Sequence, residues 1–404
     1  MAIFSLLLSG CKKESEQNST KSAIKFFTEL GSFDVIGSET FSNGEIVFVG
    51  KSGDAAAILV INDKGEKVWS HVLSGSGKNY YSSVIQLSDG SYMTFGGSTS
   101  DDMGATGFDY DLMVVKYSPG GKFHSYNCIP TPSSAGFFAA TLLQDGGVMA
   151  VGAFNAGNQQ SLIARLDQNM NLQSFQYYYI GDWHSMALQV EEVQQGVCAI
   201  VGYRSLSGIN TETKKYVTYF GYVDATDCAL LGLTDYSDHH RESKLVNVLP
   251  NQIFLSTTSD GFCWATTEEE LNYKVGIHWM RIDQNGQVLS QKRIYGLRNA
   301  TVCGLKKLKD GNYLLTGATS AEDFRSVLSG YRSSQIVLIK LDADGNEQWR
   351  SYLGDNSQIQ MALSAFESVE TIAIGGMEEQ NATGYHHPIF FQVNSKGELI
   401  KNAN

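Results

Sequence analysis

One interval recurs along this chain and limits the folds open to it. A glycine stands six residues after the residue that opens a tight turn, as Gly44/Gly50, Gly90/Gly96, Gly146/Gly152, Gly196/Gly202 and Gly311/Gly317. Asn251/Thr257 and Val369/Gly375 keep the offset with substitutions. The stretch from Leu308 to Gly354 shows what the interval encloses: strand, turn, strand, long loop, strand, turn, strand. Lys309-Asp310-Gly311-Asn312 and Asp342-Ala343-Asp344-Gly345 are its turns, because Gly and Asp enter turn conformations at little cost. Ile336 to Ile339 is an unbroken apolar run of strand length, suited to a sheet covered on both faces.

Two further markers return the same period. The third strand ends on an apolar residue followed by Asp, Asn or Ser, at Ile61-Asn62, Tyr117-Ser118, Leu166-Asp167, Val223-Asp224, Ile282-Asp283, Leu341-Asp342 and Val393-Asn394. Gly75, Gly181, Gly296 and Gly354 each stand at one fixed distance before the next closing glycine. Four short antiparallel strands repeated seven times predict an all-β chain, a seven-bladed β-propeller. One such sheet cannot bury both faces, whereas seven in a ring can, and the ring leaves few edges exposed.

The blades are expected at Phe33 to Leu73 and then at 81–126, 137–180, 184–234, 241–295, 300–353 and 358–401. Blade five is the most degenerate, with Pro250-Asn251 in place of the glycine turn and Thr257 in place of the closing glycine. Ile24–Leu30 is expected to add to the last blade and close the ring, since pairing the N-terminal strand there removes two free edges. Glu398 to Lys401 is a second candidate for that outermost place, and the sequence leaves the choice open. The domain plan is therefore 1–10 signal peptide, 11–23 flexible tether and 24–404 propeller.

The signal peptide is read from Ala2 to Leu8, an apolar run too short to span a bilayer, followed by Leu8-Ser9-Gly10-Cys11. This segment resembles the lipobox of bacterial lipoproteins, which implies cleavage before Cys11 and lipidation of that residue. Glu14 and Glu16 behind it resemble the acidic export signal of surface lipoproteins in Bacteroidota. The resemblance implies an outer-membrane lipoprotein, facing the periplasm or the cell surface. Net charge is −12 with no Lys/Arg stripe, which argues against a nucleic-acid partner.

Long second-to-third loops are expected on one face, at Ser98–Tyr110, Tyr203–Tyr216, Thr258–Lys274, Ala318–Ser334 and Met377–Pro388. Loops on one face of a rigid ring are where binding concentrates. The channel mouth there carries Tyr80, Tyr81, Trp183, His184, His240, Arg241 and Arg298, taken as the candidate ligand contacts for a sugar ring, a peptide or an anion. Phe137-Phe138 belong to the same mouth and read as packing. The acidic loop from Asp101 to Asp111 and the His239-His240 and His386-His387 pairs match no metal-ligand spacing, so no metal or cofactor is expected. Cys128, Cys198, Cys228, Cys263 and Cys303 are odd in number and lack CxxC spacing, leaving one disulfide open and unpaired.

The turn-plus-Trp segments Asp342 to Trp349 and Asn62 to Trp69 resemble the repeat of quinoprotein propellers, and the eight-bladed lipoprotein scaffold of outer-membrane assembly is similar in repeat and anchor. No Cys-Cys pair, GxSxG, HExxH or P-loop is present. The expected function is a lipid-anchored binding or scaffold module for a glycan or envelope protein, as a monomer or a subunit of a membrane complex. The alternatives are a polysaccharide hydrolase or lyase working at the channel mouth, or a purely structural subunit.

Overall fold

The computed structural model describes residues 23–106, 109–180, 184–206, 215–236, 253–270, 274–294, 297, 300–320, 333–354, 358–379 and 386–400. Seven four-stranded antiparallel sheets follow one another along the chain, and the protein is a seven-bladed β-propeller. Hydrophobic clusters fill the spaces between neighbouring blades. One unites Phe95 of blade two with Phe137 of blade three, another Ile46 of blade one with Phe390 of blade seven. Each sheet thus finds on its neighbour the apolar cover it lacks alone.

The recurring glycine has a physical cause. In six blades the innermost strand carries a β-bulge at the residue after the one that faces the closing glycine, as at Val35/Gly37 opposite Gly50 and Val302/Gly304 opposite Gly317. The bulge drives an inner-strand carbonyl against the glycine. A Cβ would lie 2.0 Å from the Asp34 oxygen at Gly50, 1.9 Å from the Tyr80 oxygen at Gly96 and 2.0 Å from the Thr301 oxygen at Gly317. Only a residue without a side chain tolerates that approach.

Blade five lacks the bulge and the glycine together, and its phase differs from the sequence expectation. Ile253–Thr257 is its innermost strand, where a second strand was expected, and Gly261–Glu270 is the second. The expected long loop Thr258–Lys274 is therefore mostly strand. The turn at Thr258 is closed by Thr258 N–H donating to Gly261 O at 2.9 Å, shorter by one residue than the glycine turns. Arg281 pins that turn by pairing with both oxygens of Asp260, at 2.8 and 2.6 Å. A residue without positive φ can hold so short a turn, which is why the glycine signal failed there. Blade seven uses the same short turn, from Ser368 to Thr371, and its closing glycine is Gly376 rather than Gly375.

Both candidates for the closing strand are used. Lys25–Phe26 pairs antiparallel with Phe390 and Ile389, and Phe27 N–H donates to Pro388 O at 3.0 Å. Leu399 bridges Val393 on the same free edge, and Ile400 N–H donates to Gln392 O at 2.8 Å. The outer strand of blade seven is composite, with the two ends of the propeller laid end to end along one edge. Ile24 and Leu399 pack into the cluster between blades six and seven.

The seam between blades one and seven is also tied by side chains. Ser38 and Ser364 hydroxyls lie 2.6 Å apart, and Thr40 donates to Ala365 O at 3.0 Å. His386 Nδ1 meets Asp34 at 2.8 Å, with Lys51 at 3.4 Å. Burial alone would raise the Asp34 carboxyl, but the His386 bond and charge, with Lys51, hold it below the usual range. A carboxyl lowered by folding stabilises above its unfolded pKa near 4 and stops doing so as pH falls through the lower folded value. Asp34→Asn should therefore be less stable than the parent at pH 6, with the gap closing toward pH 3. Urea midpoints across that range test it; a gap independent of pH would remove the ion pair from the seam.

Candidate functional site

The bulges shape the axis. The extra residues they expel, Ile36, Ser82, Phe138, Leu188, Cys303 and Leu363, line a cavity of about 240 Å³ together with Phe254 of blade five. Six bulges at one height make a collar around the channel, apolar except for Ser82. Cys303 sits in this collar and burial pushes its thiol up to about 12, so it stays protonated and unreactive.

Further along the same strands, toward the tight-turn face, the channel turns polar. A second cavity of about 460 Å³ is lined by Glu39, Glu191, Lys306 and Lys307 among hydroxyls and small apolar residues. It shares Ser38, Glu39, Phe254 and Leu363 with the collar, so the two form one channel. Register explains the charges. Glu39 pairs with Val47, Glu191 with Ala199 and Lys306 with Leu314, each partner standing three residues before its closing glycine. The three charges occupy one rung of the ring, on blades one, four and six. Glu39 is open to the solvent in the channel, and the channel wall around it raises its carboxyl above the ordinary range by desolvation, against the pull of Lys306 and the Thr40 N–H. Burial likewise raises Glu191, which bonds Thr257 and feels the charge of Glu39.

The residues proposed from sequence fare unevenly. Tyr80 lies at the inner edge of blade two, edge-on to Tyr110 at 5.2 Å, and burial raises its hydroxyl to about 12. Tyr81 is corrected: it is fully buried among blades one and two, its hydroxyl 2.8 Å from that of Tyr117, and it faces no solvent. The two are in regular register ahead of the bulge, so as neighbours on a strand they point to opposite faces and only Tyr80 is left for the mouth. His184 is partly buried, and its Nδ1 accepts Gln159 N–H at 3.3 Å. Cys11, Trp183, His240, Arg241 and Arg298 lie outside the described residues. Phe137 packs in the core as expected, while Phe138 is the collar residue.

Two carboxylates of the acidic loop are spent on hydrogen bonds within the protein. Asp102 accepts the N–H and hydroxyl of Ser76 at 2.8 and 2.9 Å, and Asp111 accepts N–H groups from Thr106 and Thr131 at 2.7 and 2.6 Å. Among the described residues no three His, Cys, Asp or Glu side chains group to hold a metal ion. Cys128, Cys198, Cys228, Cys263 and Cys303 are free thiols. The Asp and Asn turns are structural: Asp342 Oδ1 accepts the N–H groups of Asp344 and Asn346 at 2.9 and 2.8 Å.

The chain shares its fold with solved structures. It is similar to the Neurospora crassa Pan2 WD40 domain, at 8% identity and TM-score 0.50 with 91% of each chain covered. It is also similar to the polysaccharide lyase Uly1, at 10% identity and TM-score 0.52, over 89% of this chain and 90% of that one. No protein-family model matches the chain, and no curated protein matches it by sequence. At such identities the likeness is one of architecture, and site chemistry has to be argued from this chain's own residues.

Proposed function

We propose that this propeller is a binding module of a Gram-negative outer membrane, anchored through a lipid on Cys11, that recognises a glycan or protein partner on its long-loop face. The observation carrying this reading is the direction of entry. Lys25–Phe26 runs antiparallel to His386–Val393, so the chain comes in from the tight-turn half of the edge and leaves toward the long-loop face. Leu399 already occupies the tight-turn end of that edge. A tether arriving this way turns the tight-turn face to the membrane and leaves the long loops outward, where Tyr80, Trp183, His184, His240, Arg241 and Arg298 would make the contacts. Propellers are rigid rings, and rigid scaffolds carrying long loops serve recognition well.

Two measurements test it. Cys11→Ser should release the protein from membranes into the soluble fraction. Trp183→Ala with Arg241→Ala should weaken binding to a glycan or envelope protein found by array screening at least about 100-fold, with unfolding unchanged. Retained affinity in the double variant would refute the face. The second reading, an enzyme acting on polysaccharide, draws on the two raised carboxyls in the channel and on the architecture shared with Uly1. Release of new chain ends from envelope polysaccharide, lost in Glu39→Gln, would replace the first reading with this one.

A further inference from the structure

We propose that the polar half of the axial channel is a binding site for a small zwitterion, a short peptide with both termini free, its ammonium taken by Glu191 and Glu39 and its carboxylate by Lys306 and Lys307. This site is independent of the long-loop face and stands without it.

Four observations carry the assignment. The cavity is a real volume, about 460 Å³, enclosed by inner strands and large enough for a ligand rather than a few waters. Its charged lining is two carboxylates and two ammoniums, from blades one, four and six; the lining from blades three, five and seven is hydroxyl or apolar, as with Thr141, Ser256 and Ser364. Glu191 bonds the Thr257 side chain and meets Lys306 and Lys307 only through space. The Thr316 hydroxyl, on a residue 2% exposed that lines the same cavity, has no hydrogen-bond partner.

The electrostatics select the ligand. A lining with two charges of each sign admits a net-neutral guest without burying a net charge, and holds it by opposite ends. A lone cation would leave the lysines facing each other, and a lone anion would leave the glutamates so. Hydroxyls between the charged groups offer partners for peptide N–H and C=O groups. A peptide of three residues spans about 10 Å when extended, the scale of a channel formed by seven inner strands.

Calorimetric titration of the full chain tests this. The probes are triglycine, triglycinamide, which lacks the carboxylate, and N-acetyltriglycine, which lacks the ammonium. Triglycine should bind saturably, and each blocked form at least about tenfold more weakly. Glu191→Gln should weaken triglycine about tenfold and erase the penalty for acetylation. Lys306→Met should erase the penalty for amidation and keep that for acetylation. An ammonium favours the ionised carboxyls, so triglycine affinity should rise from pH 5 to pH 7, and the rise should vanish in the Glu39→Gln, Glu191→Gln pair. Urea melts of each variant confirm folding, and the blocked peptides give the same discrimination on unmodified protein. No saturable heat from glycine, triglycine or tetraglycine up to about 10 mM, or equal affinity for the three triglycine forms, overturns the proposal.

Discussion

Trp279→Ala lowers the unfolding free energy by about 4 kcal/mol. Trp279 is wholly buried on the third strand of blade five, in the cluster shared with blade six. The turn of blade six rides on its ring: a Cβ on Gly345 would stand 2.3 Å from Trp279 Cε3, and Tyr313 lies 6.3 Å from it between centroids. The indole nitrogen has no hydrogen-bond partner, so the truncation removes packing and leaves a cavity without orphaning a polar group. The arrangement repeats around the ring. Gly121 rests on Trp69, Gly65 on Phe390 and Gly397 on Trp349, each turn glycine on an aromatic of the preceding blade. Trp349 is only partly buried, so Trp349→Ala should cost about half as much. Urea unfolding of both variants measures the difference, and a loss below about 1 kcal/mol for Trp279→Ala would show that the blades do not lock through this contact.

Gly317→Ala destabilises by about 3 kcal/mol, although its φ suits any residue. The new methyl would stand 2.0 Å from Thr301 O and 3.1 Å from Thr301 C, both backbone atoms of the inner strand. Backbone cannot rotate away, so the bulge must shift and the collar residue Cys303 with it. The control is Gly311→Ala, where nothing lies within 4 Å but φ is +82°. There the cost is conformational alone, about 1 kcal/mol. Equal losses at the two positions would mean that the closing glycine is a turn residue like the other. Thr266 in blade five is the natural counter-example: no bulge stands opposite it, and a side chain fits.

That glycine explains how much of the architecture could be read directly. The glycine marks a close backbone approach, a requirement as local as a turn, and so it survives in each blade that has the bulge, although the short turn of blade seven moves it to Gly376. Where the bulge is absent the signal is absent, and the six-residue interval misplaces the strands of blade five. The collar and the charged rung were legible in principle. Glu39, Ile85, Thr141, Glu191 and Lys306 each stand eleven residues before a closing glycine, and aligning the repeats on that glycine places them at one height. Composition alone marks the mouth residues, and it cannot separate Tyr80 from Tyr81, whose side chains point to opposite faces of one strand.

The sequence alone determined the number of blades and the all-β class, because both rest on patterns that one repeat can express. Tertiary structure alone decided that Glu39, Glu191 and Lys306 share a chamber, and that two chain ends share one edge. Those groups lie far apart along the chain, and only closure of the ring, driven by apolar faces that need a neighbour on both sides, brings them together.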